Sequence, residues 1–237
     1  MTEWTERAEL LFKAEGLDKL RNANVLVVGL GGVGSFAAEF LARAGIGKMT
    51  IVDGDIVDIT NINRQLPALH STIGEPKVTV VGDRLIDINP ELQLTRVREF
   101  LSPERAFEIV SEEYDYVLDC IDSITPKLNL IIGAKRKRVK IISSMGAGGK
   151  MEASKVKVAD ITNTVNCFLA KTIRRRLKEV KIEKLKVVFS SEIQDENSLK
   201  MTDGSNYKKS FYGTNSYMPG LFGLYAAETV IRYLLKK

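Results

Sequence analysis

Hydrophobic and polar positions fall into blocks along this chain, and the period of the pattern changes from block to block. Val25 to Gly29 is an apolar, β-branched run, Gly32 to Ala44 carries apolar residues at helical spacing, and Lys48 to Asp53 is a second apolar run. Strand, helix and strand in that order predict a βαβ unit. The charged opening "MTEWTERAELLFKAEG" predicts a helix ahead of it. Further on, Pro76 starts a helix that runs to about Ile88, "LQLTRVREF" is a strand, and Pro103 starts a helix ending near Glu113. "YDYVLDCID" is a core strand ending at Asp122 with Cys120 inside it. "VKIISSMGAGG" is another, and a helix from about Pro126 to Arg138 separates the two. Only "IVDITNINRQLPALHSTIG" lacks a clean period, which predicts an ordered loop with a helical turn. The alternation predicts an α/β fold: a Rossmann-like, doubly wound, largely parallel sheet with helices on both faces.

Beyond Gly149 the pattern changes. It gives a short strand in "KVKVADI", a basic helix in "CFLAKTIRRRLKEV", a strand in "KLKVVFSSE" and an apolar helix at the carboxyl end. Between the last two lies "IQDENSLKMTDGSNYKKSFYGTNS", polar and rich in Asn, Ser, Gly and Lys, which reads as a mobile loop covering 194–215. The expected organisation is one domain, with a nucleotide-binding core at 1–149 and an extension of the sheet at 150–237.

Composition narrows the class. The 237 residues are 44% hydrophobic, enough for a substantial core. The opening segment lacks the apolar centre of a signal peptide. The longest apolar stretch, "YMPGLFGLYAAETVIRYLL", carries Glu228 and Arg232, so a docked helix accounts for it better than a membrane span. A cytoplasmic protein with no membrane association is expected. Two cysteines, Cys120 and Cys167, cannot make a four-thiolate zinc site, and no C-x-x-C pair is present. The formal charge is +5, yet Lys150 to Lys186 alone has eleven Lys or Arg against four acids, so the positive charge is concentrated.

The candidate chemistry begins in "VLVVGLGGVGS". Gly29, Gly31 and Gly34, with Gly32 between them, follow a strand and open a helix. Such glycines make a tight turn, let a pyrophosphate approach the backbone and let helix pack closely on strand, while the helix amino terminus offers free N–H groups. Asp53, nineteen residues past Gly34, stands where an acid meets ribose hydroxyls. Taken alone the motif favours NAD. Three further residues change that reading: Arg64 in "TNINRQ", Lys77 in "GEPK" and Asp122 in "DCIDS" all fall where the carboxyl edge of the sheet should be. Two cations and an acid beside a pyrophosphate suit a nucleoside triphosphate, with Asp122 available for Mg2+. Each also fits a plainer role: Arg64 a surface cation, Lys77 a charge at a helix end, Asp122 a helix cap.

On "GLGGVG", "VDGDIVDITNINRQ", "GEPK" and "DCIDS" the sequence resembles the adenylating superfamily of ubiquitin-activating enzymes and thiamine- and molybdopterin-pathway adenylyltransferases. The resemblance implies ATP and Mg2+. It places Gly29, Gly31, Gly32, Gly34, Asp53, Asp55, Asn61, Arg64, Gln65 and Lys77 around the nucleotide, and Asp122 on the metal. Arg64, Lys77 and Asp122 would act in catalysis together with Arg7, which would be supplied across a homodimer interface. The implied reaction is attack of a carboxylate on the α-phosphate. The second half, from "MEASKVKVADITNTVNCFLAKTIRRRLKEV" through "VVFSSE" to "NSYMPGLFGLYAAETVI", looks like the tRNA threonylcarbamoyladenosine dehydratase branch. That branch implies tRNA as substrate and, for some relatives, a cysteine desulfurase system as partner. The rival within the superfamily adenylates the carboxyl terminus of a small sulfur-carrier protein, and the missing cysteines argue against it. A nicotinamide-dependent dehydrogenase leaves Arg64, Lys77 and Asp122 without a role.

Lys171, Arg174, Arg175, Arg176 and Lys178 sit on the basic helix as candidate tRNA contacts, a solvated helix face being the plainer account. "KRKRVK" at 135 to 140 reads as a helix end where cations suit the dipole. His70, the sole histidine, has no acid or cysteine partner near it in sequence and is not expected to be catalytic.

Overall fold

The computed structural model describes residues 3–201 and 210–237. Seven strands form one sheet: β1 (Asn24–Val28), β2 (Lys48–Val52), β3 (Gln93–Val97), β4 (Tyr116–Asp119), β5 (Ile141–Ser144), β6 (Val156–Asp160) and β7 (Lys186–Ser190). Their order is β3-β2-β1-β4-β5-β7-β6, and every neighbouring pair is parallel except β6 and β7. This is the predicted α/β architecture, and β6 and β7 extend the same sheet.

Successive strand residues point to opposite faces, so a sheet covered on both sides needs apolar residues at every position. In β1, Val25 and Val27 enter one core with α1 (Glu6–Asn22), α2 (Gly34–Arg43), α3 (Lys77–Ile88) and α7 (Met218–Lys236). Leu26 and Val28 enter the other, formed with α4 (Pro103–Glu108), α5 (Ile124–Arg136) and α6 (Phe168–Glu179). All four side chains are buried, which is why the run has no polar interruption. Among the described residues, no helix is long and apolar enough to cross a membrane.

The structure differs from the sequence expectations in four places. Strand β4 ends at Asp119, not Asp122. Its last rung is the Cys120 N–H to the Val28 carbonyl, and the Asp119 carboxylate then takes the Ile121 N–H and turns the chain away. Cys120 therefore lies just past the strand instead of inside it. Helix α4 stops at Glu108 because Lys137, from the end of α5, donates to the carbonyls of Phe107 and Val110 and closes the helix end. The segment read as a mobile loop contains a hairpin, β8 (Leu199–Met201) with β9 (Ser210–Tyr212), anchored by backbone bonds of Gly149 with Gly213 and Asp195. Part of that reading, residues 202–209, lies outside the described residues. Finally, α1 is two helical pieces meeting at Lys13, whose φ of 63° is left-handed and strained for a residue with a side chain.

Candidate active site

Close approach of backbone to backbone dictates the glycines after β1. Gly29 has a φ of 88°, and a Cβ there would lie 2.9 Å from the Cys120 carbonyl oxygen. A Cβ on Gly34 would overlap the Gly29 carbonyl oxygen, so α2 can start this close to the turn only without a side chain. Gly32 lies under the start of α7, where a Cβ would meet Pro219 at 2.8 Å. Gly31 is different: the nearest atom to a Cβ there is Gln65 Nε2 at 3.7 Å, an ordinary contact with a flexible side chain, so no backbone crowds this position.

Acids and cations gather around that turn at the carboxyl edge of the sheet. The carboxylate of Asp53, just past β2, accepts the Leu30 N–H at 2.6 Å and the Asp55 N–H at 2.8 Å, tying the turn to β2. Burial pushes the Asp53 carboxyl above the ordinary carboxylate range, against the pull of Lys77. Lys77, on the first turn of α3, is only 6% exposed and donates to Asp55 Oδ2 at 3.0 Å. The carbonyl of buried Asn61 accepts the N–H groups of Arg64 and Gln65 and shapes the turn that carries both. Arg64 Nη1 donates to the Thr60 carbonyl and to Asn63 Oδ1, each at 2.9 Å. Burial weakens the hold of the Arg64 guanidinium on its proton, and nearby Asp122 strengthens it. Gln65 Oε1 is buried without a hydrogen-bond donor among the described residues.

Asp122 is exposed in the connection between β4 and α5, and Ser123, not Asp122, is the residue that precedes the helix. Arg7 is exposed on the first turn of α1, and among the described residues no hydrogen bond or salt bridge joins it to this cluster. His70 is exposed at the start of a single helical turn. Burial, helped by the charge of Asp119, pushes the Cys120 thiol up to about 12, which leaves it a poor nucleophile.

The sequence reading missed an ion pair directly beneath this site. Asp119 and Lys127 are both fully buried, with Lys127 Nζ 2.7 Å from Asp119 Oδ2. Ser143 donates to the same carboxylate oxygen at 2.5 Å, and Lys127 also donates to the Ser144 carbonyl at 2.9 Å. Burial pushes the Asp119 carboxyl up, and the Lys127 ammonium and Ser143 hydroxyl pull it back. The available signal was the spacing "DCIDSITPK", an acid at a strand end eight residues before a lysine in the next helix.

The basic helix separates its cations by face. Ala170, Ile173 and Leu177 are buried, whereas Lys171, Arg175 and Lys178 are exposed at the spacing of one helical stripe. Arg174 Nη1 turns inward, to the carbonyls of Ile161 and Thr164 and the Thr164 hydroxyl at 2.7 Å. Arg176 is half-buried.

Fold and edge together define a doubly wound α/β protein with two cations, Arg64 and Lys77, near a glycine turn at the carboxyl edge. A model of the ThiF family matches residues 6–237, and the chain belongs to that family. The tRNA threonylcarbamoyladenosine dehydratase of Bacillus subtilis is 39% identical to it, across 97% of this chain and 94% of the relative. Crystal structures of the Escherichia coli tRNA N6-threonylcarbamoyladenosine dehydratase in complex with ATP and with AMP are 33% identical. Each covers 100% of this chain and 96% of its own, with a TM-score of 0.88.

Removing one member of a buried ion pair strands the other, at a cost of about 3–5 kcal/mol. Lys127→Met should therefore lower the unfolding free energy by that order in urea titration, and the double substitution Asp119→Leu with Lys127→Met should recover part of it. Wild-type stability in the single variant would show that the pair is not what holds β4, β5 and α5 together.

Proposed function

We propose that this protein is an ATP-dependent tRNA threonylcarbamoyladenosine dehydratase. The observation that carries the reading is the convergence of the glycine turn, Lys77, Arg64 and Asp122 on one sheet edge, in a chain alike over nearly its whole length to a named dehydratase.

The site suits ATP. At Gly31 only the flexible Gln65 side chain approaches where a Cβ would stand, Gln65 Oε1 has no donor among the described residues, and the Asp53 carboxylate retains lone pairs for ribose hydroxyls. It also suits Mg2+, which is commonly held by one or two carboxylates together with phosphate oxygens and water, and Asp122 stands exposed beside Arg64. When bound, the ion would neutralise phosphate charge.

The threonyl carboxylate attacks the α-phosphorus, and the bond from that phosphorus to pyrophosphate breaks. Lys77 and Arg64 would offset the charge that develops on the phosphate oxygens. A nucleophile within the same modified nucleoside then attacks the activated acyl carbon, the bond to AMP breaks and a ring closes. One carboxylate oxygen departs in AMP and the nucleophile gives up its proton, so the RNA loses the elements of water. Tethering replaces a covalent enzyme intermediate, which agrees with a chain whose thiol at Cys120 holds its proton tightly.

Two features of the surface complete the proposal. Trp4, Leu10 and Leu11 are 42%, 71% and 75% exposed on the amino-terminal segment that carries Arg7, which favours a homodimer in which Arg7 enters the partner's site. Lys171, Arg175 and Lys178 form the stripe of α6 best placed for tRNA phosphates.

Mass spectrometry of nucleosides from threonylcarbamoylated tRNA, incubated with protein and Mg-ATP, should show the loss of one water. Asp122→Asn should cut AMP release on the order of 100-fold at an unchanged melting temperature. An unchanged nucleoside mass would overturn the reading, and undiminished AMP release would remove Asp122 from the metal. For the dimer, Arg7→Ala and Arg64→Ala should each be inactive alone and regain activity when mixed, because some heterodimers carry one intact site. No recovery after confirmed subunit exchange would place Arg7 outside the partner's site. Replacing Lys171, Arg175 and Lys178 with Gln should flatten the salt dependence of tRNA binding by roughly 0.9 log–log units per lost contact. Arg174→Gln should instead lower stability and leave the slope alone, and a slope that responds to Arg174 and not to the stripe would reverse the assignment.

A further inference from the structure

The cations of "KRKRVK" are only partly explained by the end of α5. Lys135 and Arg136 stand in its last turn, where the helix dipole suits them. Arg138 and Lys140 lie beyond the helix, and they meet Lys186, from the start of β7, around a groove of about 430 Å³ that Lys135, Tyr116 and Tyr233 also line. Tyr116 opens β4, Lys140 precedes β5 and Lys186 opens β7, so the groove lies at the amino edge of the sheet, opposite the glycine turn. Strands of four or five residues separate the two edges by roughly 15 Å, before the loops are added.

The charge of this groove has little internal compensation. Among the described residues, none of its four cations closes a salt bridge. Two acids are close: Asp160, which faces Lys186 in the β6–β7 ladder and acts on Lys135, and Asp115, which is held by Lys237 and the Asn24 N–H. Arg138, Lys140 and Lys186 are exposed, and Lys140 Nζ stands 5.9 Å from the centre of the Tyr233 ring, which meets Tyr116 edge-on at 5.2 Å. Burial, reinforced by Tyr233, pushes the Tyr116 phenol up to about 12, so it remains a neutral wall. Four like charges around one groove repel one another, and an arrangement of this kind becomes favourable when a polyanion enters. The chain runs from the exposed stripe of α6 to the groove: Lys171, Arg175 and Lys178 are followed by exposed Lys181 and Lys184, with exposed Glu179 and Glu183 among them, and then by Lys186.

We propose that this groove is a second binding site for RNA backbone phosphates, reached along α6, which holds the part of the tRNA that extends away from the modified base. The inference rests on tRNA being the substrate. It assigns the amino edge to affinity and register and leaves the carboxyl edge to chemistry. Phosphate contacts of this kind position a nucleic acid without reading its sequence.

The test replaces Arg138, Lys140 and Lys186 with Gln in the full chain. Binding of two fluorescent probes, whole tRNA and a minimal anticodon hairpin, is then measured across a range of KCl concentrations. Whole tRNA should bind at least 10-fold more weakly to the variant, with a log–log salt slope flatter by about two to three units. Hairpin binding and AMP release on the modified hairpin should stay at wild-type levels, and a Lys140→Arg, Lys186→Arg variant should bind whole tRNA like wild type. An unchanged slope for whole tRNA would overturn the proposal, as would an equal loss for both probes, which is the mark of a general surface field. Wild-type protein that binds neither probe would instead remove the substrate reading, and this inference with it.

Discussion

Two charges out of reach of water, Asp119 and Lys127, set the frame on which the carboxyl edge is built. Their attraction, completed by Ser143 and the Ser144 carbonyl, joins β4, β5 and α5 at one point. The residue after Asp119 is Cys120, whose N–H bonds the Val28 carbonyl and whose own carbonyl oxygen fills the space beside Gly29. Asp122 is two residues further along the same connection. The turn that would take phosphates and the acid that would take the metal are thus referenced to one buried pair. Neither can shift far without exposing or stranding a charge.

Much of this was legible in the sequence because the glycine turn has rigid requirements. A helix start that collides with a carbonyl unless residue 34 is glycine leaves its mark on the sequence, as does an acid at the end of β2. The spacing of Arg64, Lys77 and Asp122 carried the step from a general nucleotide fold to an adenylating one. The Asp119–Lys127 pair was not legible in the same way. It crosses a strand end, a turn and a helix, so it belongs to neither the period of a strand nor that of a helix.

The basic residues show a second limit. Counting charge located the excess between Lys150 and Lys186, but a count does not say which way a side chain turns. Arg174, adjacent in sequence to exposed Arg175, is occupied with the backbone of the turn at Ile161 to Thr164. The hairpin of β8 and β9 escaped notice for a related reason. Its strands have three residues each and are largely exposed, too short for a period to stand out, and their order comes from backbone bonds to Gly149 and Ser198.

The position of α7 bears on how the molecule is made. Its first turn sets Pro219 against Gly32, and its Gly223 lets α2 approach so closely that a side chain there would strike the Val33 carbonyl. A ribosome extrudes the glycine turn well before α7, and most of the sheet is made between the two. Strand β7, which separates β5 from β6, is also late. The nascent chain therefore carries its glycine turn with one wall open until α7 has been made and docks against it.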